Sequence, residues 1–175
     1  MRKLFLAAAA LAVSAATVAN AAELKRIGAP MSPIAQAVVV PPGSTTVYVS
    51  GITPKPLNPD APPGTARTFG DTKTQTLSIL TQISDILKEQ GMGMGDVVMM
   101  RVYMTADPAT GKIDAAAMNE VFRTFFGTTE QPNKPSRVTF QVAQLVNPAL
   151  LVEIEAQAAK APDAPAPHHA MKKKR

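Results

Sequence analysis

Hydrophobic and polar residues follow a definite period along most of this chain, and the period changes from one segment to the next. The β-branched runs at 36–40 and 45–50, separated by Pro41, Pro42, Gly43 and Ser44, predict two strands joined by a turn as a hairpin. Between 53 and 70 the pattern dissolves around Pro54, Pro56, Pro59, Pro62 and Pro63, which exclude helix and central strand. A loop of this length in a compact domain is functional or mobile. After Asp71, Thr76, Leu80, Ile83 and Leu87 recur at helical spacing with Ile79 and Ile86 widening the stripe, and Gly91 supplies a stop. Val98, Met100, Val102 and Met104 then alternate with Val97, Met99, Arg101 and Tyr103, which is strand periodicity. A second amphipathic helix is predicted over 113–126 from Ala117, Val121 and Phe125 with Met118 and Phe122 beside them, ended by Gly127. Two further strands follow: Val138, Phe140 and Val142 alternate with Arg137, Thr139 and Gln141, and Val152, Ile154 and Ala156 with Glu153, Glu155 and Gln157.

Strand, helix, strand implies a parallel crossover, so the pattern reads as an α+β domain. If the apolar strand faces pack on the helices, the other face of the sheet carries Arg101, Tyr103, Arg137, Thr139, Gln141, Glu153 and Glu155. Such a face is either solvated, as in an ordinary antiparallel sheet, or packed on other subunits with its charges lining clefts between them.

The two ends read differently from the body. Arg2 and Lys3, an apolar run from Leu4 to Val18, and small residues at Ala19 and Ala21 have the form of a secretory signal peptide over 1–21. The run is too short and too rich in alanine for a membrane anchor, so a periplasmic or secreted mature chain from Ala22, without stable membrane insertion, is expected. From Ala161 to Arg175, prolines among alanines and a basic end predict a disordered tail, leaving 22–160 as the folded domain. His168 and His169 in that tail lack the further ligands at fixed spacing that a metal site needs, and no metal is expected.

Composition narrows the chemistry. The 175 residues suffice for one domain with a core, and the absence of cysteine excludes disulfides, thiolate clusters and a cysteine nucleophile. The formal charge of +5 lies entirely in the two ends, since 22–160 holds twelve basic and twelve acidic residues. A neutral body gives no support to nucleic-acid binding, which places basic residues as a patch on the fold. No phosphate loop, zinc-protease helix, serine elbow or dinucleotide fingerprint occurs. Gly91-Met92-Gly93-Met94-Gly95 follows a helix and precedes a strand, the wrong order for holding phosphate. What remains is Arg137 and Glu153, opposite charges expected on adjoining strands and on one face, a pattern shared by structural salt bridges and by sites.

The run Pro135-Ser136-Arg137-Val138-Thr139-Phe140-Gln141-Val142-Ala143-Gln144-Leu145, followed by Val152-Glu153-Ile154-Glu155-Ala156, resembles the C-terminal signature of the RidA (YjgF/YER057c/UK114) family. Further matches keep the family's order: Ser50-Gly51, Gln75-Thr76, Gly91 with Asp96-Val97-Val98, and Met118-Asn119-Glu120 with Phe125-Phe126, so that the resemblance spans about Pro33 to Ala158. It implies a chorismate-mutase-like α+β fold, a six-stranded mixed sheet with two helices packed on one face, assembled as a homotrimer with clefts between subunits. Active members hydrolyse reactive enamines and imines to 2-oxo acids and ammonia without a cofactor. The alternative is a non-catalytic trimer that binds a small carboxylate or protects other proteins. By the resemblance, Arg137 binds a substrate carboxylate, for which its planar fork is suited, and Glu153 sits near the attacking water. Thr139 takes a position often held by cysteine, and Ser50, Gly51 and Asn119 match pocket-lining positions. Ile34 stands where many active members have tyrosine, and Ile52 where glutamine is common, which makes the expected cleft more apolar.

Overall fold

The computed structural model describes residues 23–163. The expected leader at 1–21, and all of the expected tail beyond Asp163, lie outside the described residues.

Two helices form where the pattern places them. Asp71 caps α1 (Thr72–Glu89) by accepting from the Thr74 amide at 2.8 Å, and Gly91 closes it at φ +67, a conformation that only glycine adopts without strain. That hydrogen bond holds the Asp71 carboxyl below its ordinary pKa. Asp114 caps α2 (Ala115–Phe125) in the same way, accepting from the Ala117 amide at 2.9 Å.

The six strands are β1 (Lys25–Ile27), β2 (Ala37–Val39), β3 (Thr45–Ile52), β4 (Val97–Met104), β5 (Ser136–Gln141) and β6 (Val152–Lys160). They divide into a two-stranded sheet, β1-β2, and a four-stranded mixed sheet in the order β3-β6-β4-β5. β6 runs antiparallel to both its neighbours, β3 and β4, while β4 and β5 are parallel. The β3-α1-β4 connection therefore returns the chain in the same direction with β6 inserted between its two strands, and β4-α2-β5 is an adjacent parallel crossover. The hairpin expected from the segments at 36–40 and 45–50 does not form: β2 pairs with β1, and β3 with β6. β1 gave no periodic signal because three residues are too few to show one. It is held by the Arg26 guanidinium, which donates to the carbonyls of Gly95, Val97 and Lys134, and a parallel bridge between Ala35 and Ser136 joins the small sheet to the β5 edge.

Both helices cover one face of the four-stranded sheet. Ile79, Leu80, Ile83 and Leu87 of α1 and Met118, Val121 and Phe122 of α2 bury against Met100, Val102 and Met104 of β4 and Val152, Ile154 and Ala156 of β6. Gln75 is fully buried but satisfied, donating to the carbonyls of Gly70 and Ala149 and accepting from the Leu151 amide. It ties the start of α1 to the start of β6. The proline-bearing loop is also tied: Leu57 donates to the Thr68 carbonyl, and Asn58 bonds both the Ala66 carbonyl and the Thr68 amide. Among the described residues no helix is long and apolar enough to cross a membrane.

Candidate functional site

β5 is an edge strand, and its register opposite β4 decides where each of its side chains goes. Arg137 lies opposite Met100, so it shares the helix-covered face. There its guanidinium donates to Asn119 Oδ1 at 2.7 Å, contacts Met118 Sδ at 3.6 Å and lies over the Phe122 ring, 4.2 Å from the centroid. The cation–π contact and the amide oxygen fix the fork's orientation without neutralising it. Arg137 is half-buried, makes no salt bridge among the described residues, and has its pKa lowered by burial and by the nearby positive charge of Arg123. Both effects penalise a cation that lacks an anion, and a bound carboxylate would relieve both. Thr139, two residues on, points the same way, and the Ala35 bridge to Ser136 brings Ile34 to the start of the strand.

Glu153 belongs to the other face. It lies opposite Tyr103, whose ring stacks on Phe140 at 5.9 Å on the side of the sheet away from the helices. β3 bulges between Val49 and Ile52, so that Ser50 and Gly51 occupy the space facing one residue of β6. Gly51 lets the Glu153 carboxylate lie close over the β3 backbone, because a Cβ at that position would overlap Glu153 Oε1 unless that side chain moved. Ser50, Gly51 and Glu153 thus form a group at the β3 edge of the open face. Ile52 packs against the core instead, so the more apolar cleft expected from Ile34 and Ile52 has no contribution from Ile52 on the Glu153 side.

The candidate residues consequently fall into two groups. Arg137, Asn119, Thr139 and Ile34 gather at the β5 edge on the helix side, and Ser50, Gly51 and Glu153 gather near the β3 edge on the open side. Arg137 and Glu153 are not on adjoining strands, since β4 runs between β5 and β6. They are two strand steps apart, about 10 Å at ordinary spacing, and on opposite faces. Alternation establishes that a strand has two faces but not which one meets the helices, and for β5 it is the Arg137 row that does. Val138 and Phe140, expected in the core, stand on the open face, where Phe140 is 44% exposed. The sequence reading missed Phe122 as the platform beneath Arg137. Its position three residues after Asn119, on the same helix face, was the available signal.

The chain matches the family described as Endoribonuclease L-PSP over residues 25–160. A RutC family protein of Pyrococcus abyssi is 34% identical over 131 residues, 75% of this chain and 89% of that protein. The chain belongs to the RidA/YjgF family. Among solved structures, a Rid family protein of Yersinia pestis is similar with a TM-score of 0.61 at 25% identity, covering 78% of this chain and 98% of the other. Escherichia coli TdcF, solved with bound serine, is 30% identical with a TM-score of 0.50, covering 78% and 98%. The two helices on a mixed sheet are the α+β fold of this family.

Proposed function

We propose that copies of this chain assemble as a homotrimer whose intersubunit clefts join the Arg137 group of one subunit to the Glu153 group of the next, and that each cleft hydrolyses 2-imino and enamine acids to 2-oxo acids and ammonia. The observation that carries this reading is the half-buried, unpaired Arg137 guanidinium, oriented by Asn119 and Phe122 at an open sheet edge. The open face also carries apolar side chains that a second copy would cover, Tyr48 at 74% exposure and Phe140 among them.

In this mechanism Arg137 takes the substrate carboxylate bidentately and so places the adjacent imine carbon. Glu153 accepts a proton from a water as its oxygen adds to that carbon of the protonated imine, and the C=N electron pair moves onto nitrogen, leaving an amine. The same carboxylic acid then returns its proton to the nitrogen. The C–N bond breaks with release of ammonia, the hydroxyl loses its proton, and the C=O of the 2-oxo acid forms. An enamine first gains a proton at its terminal carbon to become the imine. No electrons leave or enter, so the reaction calls for no redox partner.

Release of 2-oxo acid and ammonia from freshly generated imines tests this reading. The mature chain should accelerate it, and Arg137→Ala should abolish the acceleration. No acceleration by a folded trimer would instead favour a trimer that binds a small carboxylate, the reading supported by the bound serine of the TdcF structure. Export to the periplasm or medium is part of the proposal and rests on the leader pattern at 1–21. Cell fractionation with sequencing of the mature N-terminus checks it. Ribonuclease action, which the family's description names, draws no support from a body of twelve basic and twelve acidic residues.

A further inference from the structure

The Arg137 group has a neighbour that neither the sequence pattern nor the proposed reaction uses. Arg123 follows Asn119 by four residues on α2, one helical turn along the same face, and is exposed. Asn119, which Arg137 bonds, stands one turn before Arg123, whose positive charge adds to burial in lowering the Arg137 pKa, and neither arginine makes a salt bridge among the described residues. Arg123 also lines a cavity of about 330 Å³ together with Ser32, Pro33, Phe126, Gly127 and Lys134. No acidic residue stands on its wall. Lys134 Nζ donates to the carbonyls of Pro30 and Ser32, at 2.8 and 2.7 Å, which fixes that loop against the start of β5 and leaves a second positive charge on the cavity.

One carboxylate needs one arginine fork. A second arginine, one turn along α2 from the residue that holds the first and lining a cationic cavity with room for several further heavy atoms, suits a ligand with a second acidic group. We propose that Arg123 is a specificity residue for dianionic ligands, so that the preferred substrates are 2-imino acids whose side chain carries a carboxylate. This rests on the proposed role of Arg137 as anchor for the first carboxylate, and it places the second acid toward α2 and the 30–34 loop. The competing account of Arg123 is that it only offsets the exposed carbonyls at the C-terminal end of α2.

The test compares dicarboxylic with monocarboxylic ligands of the same type on the full mature protein. Calorimetric binding of 2-oxoglutarate and of 2-oxobutyrate, the corresponding product classes, is measured alongside hydrolysis of the parent imines. The native protein should favour the dicarboxylic member of each pair at least about tenfold, the worth of one charge-assisted contact. Arg123→Gln should bring that ratio toward one, and Arg123→Lys should retain part of it. A ratio near one in the native protein, or a ratio unchanged in Arg123→Gln, overturns the proposal whatever the fate of the deaminase reading. A tenfold binding preference that depends on Arg123, in a protein that hydrolyses no imine, supports it while removing the proposed reaction. A purely helix-stabilising Arg123 would lower the thermal midpoint in Arg123→Gln and leave the ratio where it was, which also overturns it.

Discussion

The Glu153 group depends on the absence of one carbon atom. Any side chain at Gly51 must displace the Glu153 carboxylate, because its Cβ would overlap Oε1. Gly51→Ala should therefore retain the fold, since the bulge lies on an edge strand, and should lose at least about tenfold in turnover through misplacement of the carboxylate. Circular dichroism together with a steady-state assay checks both parts. Asp71 acts on stability rather than chemistry. Its cap on α1 should contribute about 1 kcal/mol at neutral pH, so Asp71→Ala should unfold at correspondingly lower urea. The carboxyl's pKa is lower in the fold than in the unfolded chain, so the cap's contribution is present in full above the unfolded value and is lost as pH falls through the folded one. Urea titrations of both proteins at pH 7 and near pH 2 should show the gap closing in acid.

Both helices were legible from the sequence because their apolar stripe and terminal glycine agree, while the aspartate caps at Asp71 and Asp114 show only in the structure. Strand existence was equally legible in β4, β5 and β6, where alternation runs for six residues or more. Strand facing and pairing were not. In β5 the row of Arg137, Thr139 and Gln141 is polar throughout and yet lies on the helix side, while the apolar row of Val138 and Phe140 reads as core although it faces outward. The buried centre of a subunit interface is enriched in apolar side chains, so an apolar row in one chain does not by itself tell interface from core. The 36–40 and 45–50 segments failed as a hairpin for a related reason. β3, eight residues long, finds its partner in the nine-residue β6, while β2 is three residues long and is served by an equally short β1. The candidate site was legible as residue types through the resemblance. Its division into two groups was not, because it depends on β4 lying between β5 and β6.

On the scale of the whole molecule, that division makes the proposed cleft a property of the assembly. Within one chain the sheet stands between Arg137 and Glu153, and no side-chain rotation brings them together. A ring of subunits with a heterologous interface meets the requirement, since one edge of each copy faces the other edge of the next. The open face should supply the contact: Phe140→Asp places an unpaired charge there, and it should give a folded monomer by light scattering with intact far-ultraviolet dichroism and no hydrolysis. The most direct measurement is complementation between two inactive variants. Arg137→Ala and Glu153→Ala are each prepared, shown to be trimeric and inactive, then mixed and reassembled at equal amounts. Where each cleft draws its two groups from different chains, random mixing rebuilds about a quarter of the clefts, so about a quarter of native activity should return. Mixed trimers that remain inactive would contradict the two-chain cleft.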